Sequence, residues 1–209
     1  MQIIDIDNWS RKTHFQFFKN VAYPVYNICF DIDVTRLKEY TKDKNLSFNL
    51  ALVHLSTSAL SAIDNFKYRL RGEQVVLHDS LSPSFSDMEP GSDLFKMVTV
   101  DMEEDLLSFV QKAKDKSQNQ TDYFIFEEFM DRDDFVFYSM IPWISFTSID
   151  HTVNLKQGDA IPRVTWGKYY ARELKLFLPY NIQVNHLFVD GIHLGMFKDA
   201  LDQGIADLN

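Results

Sequence analysis

Residues 174–208 read LKLFLPYNIQVNHLFVDGIHLGMFKDALDQGIADL, and this stretch decides the fold. Leu174 to Asn185 is a long β-favouring run, too regular and too apolar for a surface loop. His186 leaves the end of it, and Asp190-Gly191 marks a corner where glycine accepts a tight backbone turn. His193 to Leu208 then reads as a closing helix. Working outward, Val25 to Asp33 is a second long strand, and Phe135 to Ser139, Ile144 to Ile149 and Val164 to Tyr170 are further strand candidates. Val34 to Lys42 suits a surface helix. Ser47 to Ile63 is apolar nearly all round and suits a buried one that includes His54 and starts on a serine cap. Trp9, Phe15 and Phe18 sit on a short amphipathic helix after Asp7 or Asn8. Tyr68 to Leu77 carries Arg71-Gly72 between two apolar runs, a hairpin signal, and Ser84 to Ser86 adds a short strand. Met102 to Lys114 is amphipathic with acidic residues in its first turn. Helices and strands do not alternate strictly, so the class is α+β, a two-layer sandwich rather than a doubly wound sheet.

The 209 residues are 45% hydrophobic and 14% aromatic, with one cysteine and a net charge of -9. That apolar fraction excludes a disordered chain, and a lone Cys29 excludes a disulfide framework. The thiol-poor composition suits the cytoplasm. No run approaches the roughly 18 apolar residues of a membrane span, and Met1 to Asp7 lacks the pattern of a secretory signal. An acidic balance opposes general nucleic-acid binding, which needs basic surface. The polar stretch Gln111 to Asp122 is a helix end running into an exposed loop rather than a linker, so residues 1–209 read as a single domain.

Candidate chemistry concentrates at His186. An imidazole works as a general base near neutral pH, and Asp190, four residues on, is close enough to order it. A hydrogen-bonded structural histidine at a strand end fits the same spacing. His186 and His193 are seven apart without a third ligand, so no metal site is expected. Cys29 lies in an apolar alternation and reads as core, and His54 as a satisfied core histidine. Asp131 to Asp134 reads as a solvated turn. No Gly-x-Ser-x-Gly elbow supports a hydrolase triad.

Four motifs resemble those of the chloramphenicol acetyltransferase family over essentially the whole chain. They are Trp9-Ser10-Arg11-Lys12-Thr13-His14-Phe15, Pro142-Trp143-Ile144-Ser145-Phe146-Thr147-Ser148, Thr165-Trp166-Gly167-Lys168-Tyr169-Tyr170, and His186-x-x-x-Asp190-Gly191 with His193. The resemblance implies the fold of CoA-dependent acyltransferases, with a large mixed sheet. It implies acetyl transfer from acetyl-CoA, as co-substrate, to a small-molecule hydroxyl acceptor, with no metal. His186 would be the base, Ser148 the hydroxyl donor to the developing oxyanion, and Thr165 the holder of an ordered water. Asp190 and Arg11 would form a structural ion pair supporting the site. Lys168 and Tyr169 would meet the CoA nucleotide. The family also implies a homotrimer with each site at a subunit interface.

Departures from the family pattern fall mostly on the acceptor side. Asn185 replaces a histidine, Phe18 a tyrosine that contacts the acceptor, and Val25 a cysteine. Ala160-Ile161-Pro162 stands for Phe-Ala-Pro, removing a large aromatic. Ser47 replaces a lysine expected near the CoA phosphate. Phe18, Val25, Phe95 and Ala160 are therefore the expected acceptor-pocket positions, with Trp143 at that pocket or at a subunit interface. The final motif also occurs in dihydrolipoyl acyltransferases, which makes a thiol acceptor one alternative. A non-catalytic binding protein on the same scaffold is another.

Overall fold

The structure is a computed structural model that describes residues 1–89, 91–130, 132–152 and 158–209. In chain order the elements are β1 (Gln2–Ile3), a 3-10 turn (Ile6–Asn8), α1 (Lys12–Lys19), β2 (Val25–Asp33), α2 (Thr35–Asp43), α3 (Phe48–Ser61), α4 (Asp64–Lys67), β3 (Tyr68–Arg71), β4 (Gln74–Leu77), β5 (Ser82–Met88), β6 (Phe95–Thr99), α5 (Leu106–Asn119), α6 (Glu127–Met130), β7 (Phe135–Met140), β8 (Arg163–Trp166), β9 (Tyr170–Arg172), β10 (Lys175–Asn185) and α7 (Gly191–Ala206). A seven-stranded sheet runs β2-β10-β8-β7-β5-β6, with β9 paired to β10. Its β5–β7 and β7–β8 pairs are parallel and the others antiparallel, so the sheet is mixed. A small sheet, β1-β4-β3, lies beside it.

The eleven-residue β10 organises the sheet because both its faces are buried. Leu178, Tyr180, Ile182 and Val184 point to the helical layer, while Asn181, Gln183 and Asn185 point away and are also buried. On the helical side, α3 packs against α5 and α7. Its Ser47 cap accepts from the Leu50 N–H at 3.4 Å, and on its sheet-facing side Ser56 hydrogen-bonds the Tyr180 hydroxyl of β10. Tyr138 donates to Thr57 Oγ1 at 2.8 Å, which donates to the Val53 carbonyl at 2.7 Å. Trp166, Tyr180 and Phe197 are fully enclosed, each worth about 1.5–3 kcal/mol of burial. The two-layer α+β reading therefore holds.

Several elements differ from expectation. Residues 144–149 form no strand: after Ile141 N donates to Trp166 O, the chain leaves the sheet. Both edges of β8 are already taken by β7 and β10, so the segment cannot pair with the strand it adjoins, and Trp143 and Ile144 stay exposed. The run Val164 to Tyr170 is broken at Gly167. A Cβ there would sit 2.5 Å from the Ile144 carbonyl oxygen, a contact only glycine permits. Strand β6 had no clear alternation and was not anticipated. Cys29 is half-buried on the polar face of β2, where its Sγ accepts from Asn181 Nδ2 at 3.2 Å, and is not core. His54 is buried, with Nε2 against the Glu103 carbonyl at 3.0 Å, yet Nδ1 has no partner among the described residues.

The acidic run is also no solvated turn. Asp131 lies outside the described residues, but Asp133 binds Arg71 (2.6 and 2.9 Å) and His78 (2.7 Å), and Asp134 binds Arg132 and Ser82. Burial opposes ionisation of Asp133. The Arg71 and His78 contacts outweigh it and hold the carboxyl well below the usual range.

Candidate active site

Strand β10 ends at Asn185, and a hydrogen-bonded corner carries the chain into α7. Asn185 Oδ1 accepts from Leu187 N at 2.9 Å, and its Nδ2 donates to the Asp159 carbonyl at 2.8 Å. His186 N donates to Pro24 O at 2.7 Å, which ties the corner to the start of β2. Asp190 is the N-cap of α7, and its N–H donates to His193 Nδ1 at 2.9 Å.

Arg11, just ahead of α1, reaches 179 residues along the chain into this corner. Its Nε–H donates to Leu187 O at 2.9 Å, and its Nη2 donates to His186 O at 3.0 Å and Asp190 Oδ1 at 2.8 Å. Nη1 meets the other carboxylate oxygen, Oδ2. The Arg11 side chain is only 10% exposed. Its guanidinium, aided by the His186 hydrogen bond and opposed by burial, holds the Asp190 carboxyl at about 2.

That ionisation fixes the histidine tautomer. His186 Nδ1 lies 3.1 Å from Asp190 Oδ1, and an ionised carboxylate only accepts hydrogen bonds. Nδ1 therefore carries the proton, and in the neutral ring Nε2 keeps its lone pair. Phe18 stacks on the imidazole at 4.3 Å with rings 2° from parallel, and Tyr26 packs on it at 4.5 Å. Tyr26 donates to Val189 O at 3.3 Å, and burial pushes its phenol up to about 12, so it stays neutral. The result is an oriented imidazole between two aromatic rings, whose Nε2 has no hydrogen-bond partner among the described residues.

The other expected residues fall elsewhere. Thr165 is fully buried on the polar sheet face, in a row with Ser139, Asn181 and Cys29 across four strands. Asn181 Nδ2 points at the Ile28 carbonyl, Cys29 Sγ and the Ile149 carbonyl (3.2–3.4 Å), so its Oδ1 faces His151 Nε2 at 3.0 Å. Nε2 must then be a donor. Thr165 Oγ1, 3.3 Å from that nitrogen, sits as a second acceptor, which leaves its own proton to give elsewhere. Ser148 is exposed in the turn before His151, and Asn27 on β2 holds the neighbouring Asp150.

Val25 pairs with Asn185 at the start of β2, beside the histidine corner. Ala160 is buried next to Asp159, the residue whose carbonyl receives Asn185. Phe95 lies on β6, at the opposite edge of the sheet, against Phe124 at 5.9 Å. Lys168 and Tyr169 are exposed between β8 and β9. Thr165 aligns with Asn181, five residues before His186, so the two groups are separated by roughly 16 Å along β10. One chain thus assembles Arg11, Phe18, Val25, His186 and Asp190, and a separate cluster around Thr165. No described hydrogen bond joins Ser148 to the histidine corner. Tyr26 and His151 were not anticipated, because only the β2–β10 register and the fold of the 148–152 segment bring them in. Among the described residues no group of side chains is placed to hold a metal ion, and no helix is long and apolar enough to cross a membrane.

A family model described as chloramphenicol acetyltransferase matches residues 1–202. The chloramphenicol acetyltransferase of a Klebsiella species is 29% identical over 201 residues, covering 96% of this chain and 91% of that protein. A solved chloramphenicol acetyltransferase superposes with a TM-score of 0.91 at 28% identity, covering 98% of this chain and 99% of the other. The dihydrolipoamide acetyltransferase of Azotobacter vinelandii shares the fold at a TM-score of 0.69 and 14% identity, covering 93% of this chain and 86% of its own.

Proposed function

The chain belongs to the chloramphenicol acetyltransferase family, and from that membership we propose that it moves acetyl from acetyl-CoA to a hydroxyl of chloramphenicol or a related small alcohol. It is an acyltransferase, and the observation that carries the mechanism is the His186 ring. Its Nδ1–H is committed to Asp190, and its Nε2 lone pair has no described partner.

In the proposed reaction Nε2 takes the hydroxyl proton as the alcohol oxygen attacks the thioester carbonyl. The tetrahedral intermediate collapses, the C–S bond breaks, and the thiolate recovers the proton from the imidazolium. Products are the acetyl ester and free CoA, with no acyl-enzyme. A positioned imidazole contributes typically 10²–10⁴-fold, because a free alcohol is a poor nucleophile at neutral pH. Ser148 donates its hydroxyl to the developing oxyanion, a contact worth about 2.7–4 kcal/mol in comparable sites. Thr165, its proton turned away from His151, holds an ordered water near the intermediate.

The separation of His186 from Thr165 within one chain favours a homotrimer in which His186 of one subunit faces the Ser148 and Thr165 side of the next. In that assembly Phe95, remote from its own His186, lines the pocket together with Phe18, Val25 and Ala160. Lys168 and Tyr169 receive the CoA nucleotide, residues 1–209 act as one domain, and the enzyme works in the cytoplasm. The test is release of free CoA thiol from acetyl-CoA, with and without chloramphenicol. The proposal predicts release that depends on the alcohol, and its absence with chloramphenicol and with other small alcohols refutes it.

A further inference from the structure

Three elements meet at the mouth of the β8–β9 loop in a way the sequence motifs do not describe. Lys38 projects from α2, where its neighbour Leu37 is buried in the core. Its Nζ stands 5.7 Å from the Phe48 ring centroid, at the first residue of α3, and 5.3 Å from the Tyr169 ring centroid. The two rings pack on each other at 6.1 Å. Among the described residues no carboxylate pairs with Lys38, nor with Lys168 beside Tyr169, although most other lysines here have an acidic partner.

The surroundings add to this positive character. Ser47 Oγ already accepts from Leu50 N, which leaves the first N–H groups of α3, at Phe48 and Asn49, without intrahelical acceptors. The helix is 14 residues long, so its N-terminal dipole is developed. In a chain of net charge -9, this brings together the Lys38 ammonium, which has no acidic partner among the described residues, amide donors at a helix start and a half-exposed aromatic ring, with Lys168 next to that ring in the chain. An ammonium held over ring faces keeps its donors free for an anion while its alkyl stem is fixed.

We propose that Lys38, resting on the reading above that Lys168 and Tyr169 meet the CoA nucleotide, is the cation that recognises the phosphate monoester of that nucleotide. Ser47 cannot supply this charge. Lys38 supplies it from α2, one element earlier, and reaches the same helix N-terminus by lying across Phe48. The ligand class is a nucleotide bearing a terminal phosphate monoester. The Tyr169 ring offers the surface for its base, and Lys38 and Lys168 flank the phosphate.

The experiment compares CoA with 3′-dephospho-CoA, by titration calorimetry for binding and with the acetylated forms for kinetics. It uses the full-length wild type, Lys38→Met and Lys38→Arg. Lys38→Met is expected to weaken CoA binding and raise KM for acetyl-CoA by about tenfold, the effect of one charge-assisted contact. The dephospho forms and kcat should be nearly unchanged, and Lys38→Arg should keep most of the preference. Equal losses with both ligands would assign Lys38 to packing alone and overturn the proposal. So would no loss with either, or a wild type without preference for the phosphate. A wild type that prefers CoA but acetylates no alcohol would leave this inference standing and refute the transfer reaction instead.

Discussion

Replacing Asp190 with alanine removes three contacts at once: both Arg11 hydrogen bonds and the one from His186 Nδ1. What remains is a guanidinium whose side chain is 10% exposed. Its Nε and Nη2 still reach the Leu187 and His186 carbonyls, but Nη1 has no acceptor. Stranding one member of a buried ion pair costs about 3–5 kcal/mol. Asp190 is itself 29% exposed, so water relieves part of the penalty and the lower end, about 3 kcal/mol, applies. For a chain of this length that corresponds to roughly 6–12 °C in Tm. Denaturant unfolding followed by circular dichroism gives the stability, and thiol release gives kcat. Arg11→Ala with Asp190→Ala should cost less than the two single changes added, because the double variant strands no charge. Asp190→Asn should lose more activity than stability, since an amide keeps the shape but no longer fixes the Nδ1–H tautomer. An Asp190→Ala variant within about 0.5 kcal/mol of wild type with full kcat, or strictly additive single changes, would refute the ion-pair account.

Other outcomes follow from the same geometry. The Asp190 carboxyl is lowered in the folded chain from 3.8 to about 2. Its contribution is therefore complete above the unfolded value and lost as pH falls through the folded one. The stability gap between wild type and Asp190→Ala should stay flat above about pH 5 and narrow toward pH 2 in pH-dependent unfolding. Phe18→Tyr should lower KM for chloramphenicol by roughly two- to tenfold, the worth of one hydrogen bond, and an unchanged KM would remove Phe18 from the pocket. Gly167→Ala forces a Cβ to within 2.5 Å of the Ile144 carbonyl. It should destabilise by about 1–3 kcal/mol and lower kcat by displacing the Ser148 loop, both read by unfolding and turnover. Ser148→Ala should lower kcat by about 10²–10³ with little change in KM.

How much of this was legible in the sequence differs from element to element. The strand β10, the Asp190-Gly191 corner and α7 were readable because one chain segment contains their whole signal: a long β-favouring run, a turn pair and a helical period. The tendency of residues 144–149 to look like a strand misled for a physical reason. Their alternation is real, but a strand exists only with a partner, and β7 and β10 had already taken both edges of β8. Asp133 looked solvated because its partners, Arg71 and His78, lie 62 and 55 residues away. The site divides similarly. His186, Asp190 and Arg11 stood out through motifs, whereas Tyr26 and His151 acquire meaning only from register and loop path. Lys38 carried no motif at all, and three separate elements had to pack before its place over Tyr169 was visible.

The central claim is that an oriented His186 Nε2 deprotonates the alcohol during transfer from acetyl-CoA. Its most direct test is turnover of acetyl-CoA and chloramphenicol by His186→Ala, with folding checked by circular dichroism and CoA binding checked by calorimetry. The account predicts a folded protein that still binds CoA but has lost at least about 10²–10⁴-fold in kcat, the range of general-base catalysis. A folded His186→Ala enzyme that transfers acetyl at the wild-type rate would contradict it.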